Sequence, residues 1–237
     1  MQMNFDLFEI CKTGPRAENQ DAVGHRLLDS ALFACIADGV GGGKCGALAS
    51  QIGVQTFLDA DENLIRSNLS LLLQEAHNKI LNYAANNKNC EGMATTFSCC
   101  VIESYQLKGV HVGDSRIYHL RRNGIKQLTM DQTEVARFVR TGKMSPEEAL
   151  VYPRRNVLET ALGNEKHFEI HEFSVELEPG DRLILTTDGV HDNIFKREIR
   201  DYSINSSSAK ELGEKIISHV ETNKPKDNYS LITLVVV

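Results

Sequence analysis

Four short stretches of this 237-residue chain place a carboxylate at or near the end of an apolar run. They are Ile36-Ala37-Asp38-Gly39-Val40-Gly41-Gly42-Gly43, Val112-Gly113-Asp114-Ser115-Arg116, Leu185-Thr186-Thr187-Asp188-Gly189-Val190-His191-Asp192 and Lys226-Asp227-Asn228-Tyr229-Ser230. Taken singly, each reads as a turn, because Asp-Gly is a common turn dipeptide and Asp-Asn a common loop. Their repetition changes the reading. If these strand ends meet at one edge of a sheet, like charges are brought together, and such a cluster is costly unless cations neutralise it. The hard divalent ions Mg²⁺ and Mn²⁺ suit that task, since they take oxygen ligands and let water complete the shell.

Other chemistries are less well served. His167 and His171 stand four apart, but Phe168 occupies the place where H-E-x-x-H needs glutamate, and the segment reads as strand. The remaining histidines (His25, His77, His111, His119, His191, His219) are scattered as surface or satisfied core residues. Gly41-x-Gly43-x-x-Gly46 matches the dinucleotide fingerprint by letter. Asp38 would repel a pyrophosphate there, and no βαβ continuation follows. A P-loop fails because Cys45 follows Gly43-Lys44 and Asp38 sits where the first glycine belongs.

The composition is that of a globular protein, 41% hydrophobic and 24% charged, with a net charge of −6. A nucleic-acid partner is not expected without a basic excess. No basic-then-apolar leader opens the chain, and no apolar run approaches the ~20 residues of a membrane span. A cytoplasmic location with no membrane partner is expected. The six cysteines show neither C-x-x-C pairs nor zinc-finger spacing, so reduced thiols packed as small hydrophobes are expected. Cys99 and Cys100, if on a strand, point to opposite faces.

The elements that must position the aspartates follow from periodicity. Strands are predicted at residues 5–11, 32–37, 95–102, 107–112, 116–120, 168–177, 182–187 and 230–237. In 168–177 the alternation slips at His171-Glu172, which suggests a bulge or bend. Asn123-Gly124 marks a hairpin turn through its tolerance of positive φ. Helices are predicted at 46–58 and along the stripe Leu69, Leu72, Leu73, Ala76, Ile80 and Ala84. Short helices are expected at 131–141 and 145–151, where Ser145-Pro146-Glu147-Glu148 forms a capping box. A last helix starts at Ser208, with Glu211 completing a second box. No repeat or linker interrupts the chain, so one continuous domain is expected. Many strands between early and late helices make this an α+β fold, a β-sandwich flanked by helices.

In this order the motifs resemble the metal-dependent protein phosphatases of type 2C, in particular their short bacterial branch. Gly14-Pro15-Arg16-Ala17-Glu18-Asn19-Gln20-Asp21 resembles G-x-R-x-x-N-x-D, Asp38 to Gly42 resembles D-G-x-G-G, and Gly92-Met93-Ala94-Thr95-Thr96 resembles G-x-x-T-T. Gly113-Asp114-Ser115-Arg116, Leu128-Thr129-Met130-Asp131, Pro153 to Leu158, Ala161-Leu162-Gly163, Thr187-Asp188-Gly189 and Asp227-Asn228 complete the set over 1–237. The resemblance implies a four-layer α-β-β-α sandwich of two mainly antiparallel sheets. It implies that Asp38 bridges two Mn²⁺ or Mg²⁺ ions, with the Gly39 carbonyl on the second. Asp188 and Asp227 would hold the first, Asp21 would orient water on the second, and Asp114 with Asp188 would hold a possible third. Arg16 would bind the substrate phosphate, which a bidentate guanidinium suits. Two such ions can acidify a shared water for in-line attack on phosphorus.

The implied substrates are proteins phosphorylated on serine or threonine by an opposing kinase. Residues 131–163 are expected to form a mobile flap that influences substrate choice. Gln20, Val40 and Gln132 depart from the pattern: they stand where a glutamate, a proposed general-acid histidine and a frequent histidine occur in other members. The competing readings are a non-catalytic module of the same fold, a dinucleotide-binding oxidoreductase built on the Gly41–Gly46 loop, and a small-molecule metallophosphatase.

Overall fold

The computed structural model describes residues 4–28, 30–40, 45–165 and 169–237. The chain opens with β1 (Phe5–Lys12), β2 (Asp21–Leu27) and β3 (Ala31–Val40), then α1 (Gly46–Leu58), α2 (Glu62–Ser67) and α3 (Leu69–Asn86). Next come β4 (Ala94–Thr95), β5 (Phe97–Glu103), β6 (Gln106–Val112), β7 (Arg116–Arg121) and β8 (Gly124–Gln127), followed by α4 (Glu134–Arg140) and α5 (Pro146–Leu150). The rest is β9 (His171–Glu176), β10 (Arg182–Thr186), α6 (Asp188–His191), α7 (Lys196–Ile204), α8 (Ala209–Thr222) and β11 (Tyr229–Val236).

These strands form two sheets in the orders β1-β11-β10-β7-β8 and β2-β3-β5-β6-β9, with β4 pairing to β3. Every pairing within them is antiparallel. Three apolar layers hold four layers of structure together. Between the sheets, Leu32, Ala34 and Ile36 of β3 meet Leu183, Leu185 and Ile232. The other face of β3 sends Phe33, Cys35 and Ala37 against the helices α1 and α3. This double burial is why β3 reads as a continuous apolar run. Phe57 of α1 stacks on Phe33 at 5.5 Å and on Phe97 at 4.6 Å, so Phe57→Ala would open a cavity costing about 3–5 kcal/mol. On the far side, Leu212, Ile216 and Val220 of α8 cover Ile184 and Leu231. The α+β sandwich expected from the sequence is the architecture found, and Cys99 and Cys100 do fall in different layers.

Several local expectations are corrected. Strand β9 alternates regularly from His171 to Glu176 and pairs in unbroken register with β6, so it carries no bulge. The slip in pattern coincides with the strand's beginning, and Phe168 lies outside the described residues. The β7–β8 hairpin exists, but its left-handed residue is Arg122, at φ 53°, while Gly124 is already paired to Arg121. Ser145 makes the full capping box. Ser208 makes only half of one, because Glu211 turns its carboxylate to the Ser207 amide and hydroxyl.

The cysteine reading fails at two positions. Cys45 and Cys90 are joined by a disulfide with a Cα–Cα distance of 5.3 Å. They lie 45 residues apart with no spacing signature, and only the return of α3 towards the start of α1 brings them together. The free thiols are Cys35, Cys99 and Cys100, all buried, and the exposed Cys11.

Candidate active site

Asp21, the first residue of β2, stands directly opposite Asp38 near the end of β3. Asp188 opens α6 immediately after β10, Asp114 lies in the turn between β6 and β7, and Asp227 precedes β11. Antiparallel pairing carries these strand ends from both sheets to one edge of the sandwich. Asp38 accordingly feels the charges of Asp188, Asp21, Asp114 and Asp227.

The backbone at Asp38 is fixed by Thr95, the last residue of β4, and Thr96, which joins β4 to β5. The Thr96 amide donates to the Asp38 carbonyl at 2.8 Å, and the Thr95 hydroxyl donates to the same oxygen at 2.9 Å. The Asp38 amide donates to Thr96 Oγ1 at 2.9 Å. That hydroxyl lies 2.7 Å from Ser115 Oγ, next to Asp114, and Ser98 Oγ donates to the Ser115 carbonyl at 3.0 Å. Ser98 also meets His111 Nδ1 at 2.8 Å, so buried hydroxyls run from Asp38 to the Asp114 turn. The following Gly39 has a purely spatial role: a Cβ there would stand 2.1 Å from the Gly46 carbonyl oxygen. Only glycine lets α1 begin against this strand end.

The carboxylates are short of positive charge. Burial, then the charges of Asp188, Asp21, Asp114 and Asp227, push Asp38 well above the usual carboxylate range. Asp114 is raised in the same way by burial, then by Asp188 and Asp131, against relief from Arg116. Burial raises Asp21 to about 7 even though its Oδ2 accepts hydrogen bonds from Ser230 Oγ at 2.7 Å and Thr187 Oγ1 at 2.9 Å. Asp188 rises to about 6 through burial and the neighbouring Asp192 and Asp227, and its Oδ1 is buried without any hydrogen-bond partner.

An orphaned carboxylate oxygen beside several half-buried aspartates fits a cation of the oxygen-loving kind. Among the described residues, no group of three or more His, Cys, Asp or Glu is arranged to hold a metal ion by itself. The donors at this edge are carboxylate oxygens, which suit Mg²⁺ or Mn²⁺ held by one or two carboxylates with water supplying the rest.

Arg16 is turned towards these acids. Its Nη2 donates to Asp227 Oδ2 at 2.6 Å and its Nε to the Lys226 carbonyl at 3.1 Å. Asn228 secures the segment that carries Arg16, accepting from the Gln20 amide at 2.9 Å and donating to the carbonyls of Thr13 and Glu18. The Gln20 carbonyl in turn accepts from the Gly39 amide at 3.0 Å and from Ser50 Oγ at 2.6 Å. Val40 ends β3, and Gly41 to Lys44, which include most of the glycine-rich loop, lie outside the described residues, as does His167.

Sequence reading left Gln132 without a role, and the structure supplies one. Its amide donates to the Gly113 carbonyl at 2.8 Å, and its Oε1 accepts from the Gly113 amide at 2.7 Å. Gly113 is held at φ 102°, with Thr96 2.7 Å from where a Cβ would be, so the turn that presents Asp114 needs glycine. Gln132 Nε2 donates to the Glu169 carbonyl at 3.0 Å and its own carbonyl accepts from the Glu159 amide at 2.8 Å. Through its backbone and its buried side chain together, Gln132 thus ties the Asp114 turn to Glu159 and to Glu169, just beyond the 131–163 segment. The signal available in the sequence was only its place next to Asp131.

Comparison with known proteins agrees with this geometry. The profile of the family described as Protein phosphatase 2C matches residues 15–228. Serine/threonine phosphatase stp of Listeria welshimeri is 31% identical over 226 residues, spanning 92% of this chain and 90% of its own. Protein phosphatase PhpP of Streptococcus pneumoniae is 32% identical over 195 residues, 78% of each chain. Serine/threonine phosphatase Stp1 from Staphylococcus aureus superposes with a TM-score of 0.91 at 26% identity, covering 99% of this chain and 96% of that one. The catalytic domain of PstP, solved with two manganese ions, superposes with a TM-score of 0.86 at 26% identity over 99% of both chains. With its motifs in order, its aspartates gathered at one edge and its fold shared end to end with these enzymes, the chain belongs to the protein phosphatase 2C family.

Proposed function

We propose that the chain is a Mn²⁺- or Mg²⁺-dependent protein phosphatase that hydrolyses phosphoserine and phosphothreonine, acting as one catalytic domain over 1–237 in the cytoplasm. The observation that carries this is the edge cluster of Asp38, Asp114, Asp188 and Asp227, held by a fixed backbone and left with a buried, unpartnered oxygen on Asp188. Asp38 and Asp188 would bind the ions from the two sheets, the Gly39 carbonyl and Asp227 adding donors and Asp114 serving a further ion. Bound divalent ions would acidify water and offset charge developing on the phosphoryl oxygens. Asp21, held by Ser230 and Thr187, would orient water beside them. Arg16 lies at the rim, and its pairing to Asp227 keeps a guanidinium fork where a phosphate would arrive. Val40 offers no proton, so the leaving alkoxide would take its proton from water in the site.

Phosphorylated proteins, the products of a serine/threonine kinase, are the substrates this reading implies, and no nucleic-acid or membrane partner is proposed. No helix among the described residues is long and apolar enough to cross a membrane. Turnover of p-nitrophenyl phosphate should require Mn²⁺ or Mg²⁺ and stop with EDTA. Undiminished activity in chelator would overturn the assignment. Faster turnover of sugar or nucleotide phosphates than of phosphopeptides would move it to the small-molecule metallophosphatases.

A further inference from the structure

A cleft of about 760 Å³ begins at Asp114 and Asp188 and runs outward beneath α4 and α5. Its inner end is acidic, and its outer wall is aliphatic, built from Val135, Ala136, Val139, Ala149 and Leu150 with Met130 at the edge. Neither α4 nor α5 has a single fully buried residue. Their apolar faces are therefore not spent on the protein's own core, unlike that of α8, which buries Leu212, Ile216 and Val220. Leu150 is 70% exposed, and Met130, which also lines the cleft, is exposed as well. Single exposed aliphatics are ordinary, but a contiguous set lining a cleft marks a binding surface.

The charges beside this wall indicate what kind of molecule fits. Arg116 is spent on Asp131, with Nη2 at 2.6 Å, and Arg155 on Asp192 at 3.2 Å. Arg140 and Lys196 also line the cleft, and among the described residues neither makes an ion pair. Arg140 reaches only Met130 Sδ, at 3.3 Å, while Lys196 lies over the Tyr118 ring. Two cations without an ion-pair partner among the described residues, beside an aliphatic wall, complement a peptide that carries acidic residues next to an apolar side chain.

We infer that this cleft is the substrate-recognition subsite of the enzyme. It seats an aliphatic side chain of a phosphopeptide whose phosphorylated residue occupies the aspartate edge, with acidic flanks facing Arg140 and Lys196. The inference rests on the phosphatase reading above and names the substrate class that reading leaves open. Burying one leucine side chain against Val139, Ala149 and Leu150 would be worth about 1.5–3 kcal/mol, a ten- to hundredfold preference in kcat/KM.

The test is a set of phosphothreonine peptides with acidic flanks, in which leucine is moved through each neighbouring position against an all-alanine reference. Each rate is divided by the same enzyme's rate on p-nitrophenyl phosphate. Wild type should prefer one leucine position at least tenfold. In Leu150→Ser and Val139→Ser the preference should collapse towards one, and in Arg140→Gln the benefit of acidic flanks should shrink. Both serine substitutions fall on partly or fully exposed positions, and a circular dichroism melt at the wild-type temperature verifies folding. Hydrolysis of p-nitrophenyl phosphate with no leucine preference at any position would overturn the subsite while leaving the phosphatase standing. Failure to hydrolyse p-nitrophenyl phosphate would instead sink the reading beneath it. A leucine preference that survives both serine variants would place the aliphatic pocket elsewhere and equally overturn the inference.

Discussion

The aspartate edge and the 131–163 segment sit side by side but are held by different forces. At the edge, Asp38 is fixed by three hydrogen bonds to Thr95 and Thr96, and a buried chain of hydroxyls continues to Ser115. Such bonds are costly to leave unmade, so the geometry is stiff. The neighbouring segment is tied at its base through Gln132 and the Thr133–Leu158 bridge, and beyond that by ion pairs such as Glu134–Arg154 and Arg155–Asp192 that face solvent. Those contacts are individually weak. If the cleft beneath that segment seats the substrate as proposed, a stiff chemical centre beside a loosely held element would let the chemistry stay fixed while the seat adjusts.

The largest effect should come from the stiff side. Asp38→Asn and Asp188→Asn should each lower kcat by at least ~10³-fold, about 4 kcal/mol of transition-state stabilisation, while Asp114→Asn should lower it less. Steady-state kinetics on variants shown to be folded by circular dichroism measures this. Calorimetric titration with Mn²⁺ adds a second readout, weakened binding. Near wild-type turnover in folded Asp38→Asn would break the contrast at its root.

The disulfide tests whether stiffness extends behind the edge. Cys45 immediately precedes α1, whose first residue packs on Gly39. Closing a 45-residue separation restricts the unfolded chain, and Cys45→Ala with Cys90→Ala should cost about 3–4 kcal/mol. A urea melt with and without dithiothreitol should show the wild type falling to the stability of the double variant. A midpoint indifferent to reductant would mean that the bond adds nothing.

Acid should find the next weakness. Burial lowers His111 to about 4 from its ordinary 6.5, with His171 adding to the shift while Asp131 and the carbonyls of Gly113 and Met130 oppose it. At neutral pH the ring is uncharged in both states and contributes no pH dependence. As pH falls below about 6.5 the unfolded chain takes up a proton that the folded ring refuses until about 4. Stability is therefore lost across that window, by about 3 kcal/mol at its acid end. His111→Gln should remove this loss, so the stability difference between the two proteins, measured in EDTA because the aspartates are common to both, should change across the window from pH 6.5 to 4. A difference curve independent of pH would refute the depressed ring.

What the sequence disclosed follows the same division. The aspartates were legible because glycine and strand ends leave strong local marks, and β3 and α1 because burial imposes period. The hydroxyls of Thr96, Ser98 and Ser115 were not, since ordinary residue types reveal a network only when strands 15 to 20 positions apart are paired. Strand β2 was missed because it is an edge strand with mixed burial, broken by Gly24 and His25. Helices α6 and α7 were missed because one is a single turn and the other buries only Ile199 and Ser203. The disulfide needed the path of α3, and the cleft beneath α4 and α5 needed the knowledge that these helices bury nothing fully.

The smallest effect belongs to the loose side, at the pair between Arg155 and Asp192. The two side chains are 49% and 33% exposed and meet at 3.2 Å through a single nitrogen, without bidentate geometry. In water-like surroundings the attraction of such a pair is largely offset by ordering two long side chains, and exposed pairs contribute about 0.2–1 kcal/mol. A double-mutant cycle of Arg155→Gln and Asp192→Asn, read from urea midpoints, should therefore give a coupling below about 1 kcal/mol, shrinking further in high salt. Because the pair joins the segment to the residue four positions beyond Asp188, a weak coupling means that the segment can move without disturbing the aspartates. A coupling above about 2 kcal/mol, insensitive to salt, would show the two regions locked together and would dissolve the contrast between them.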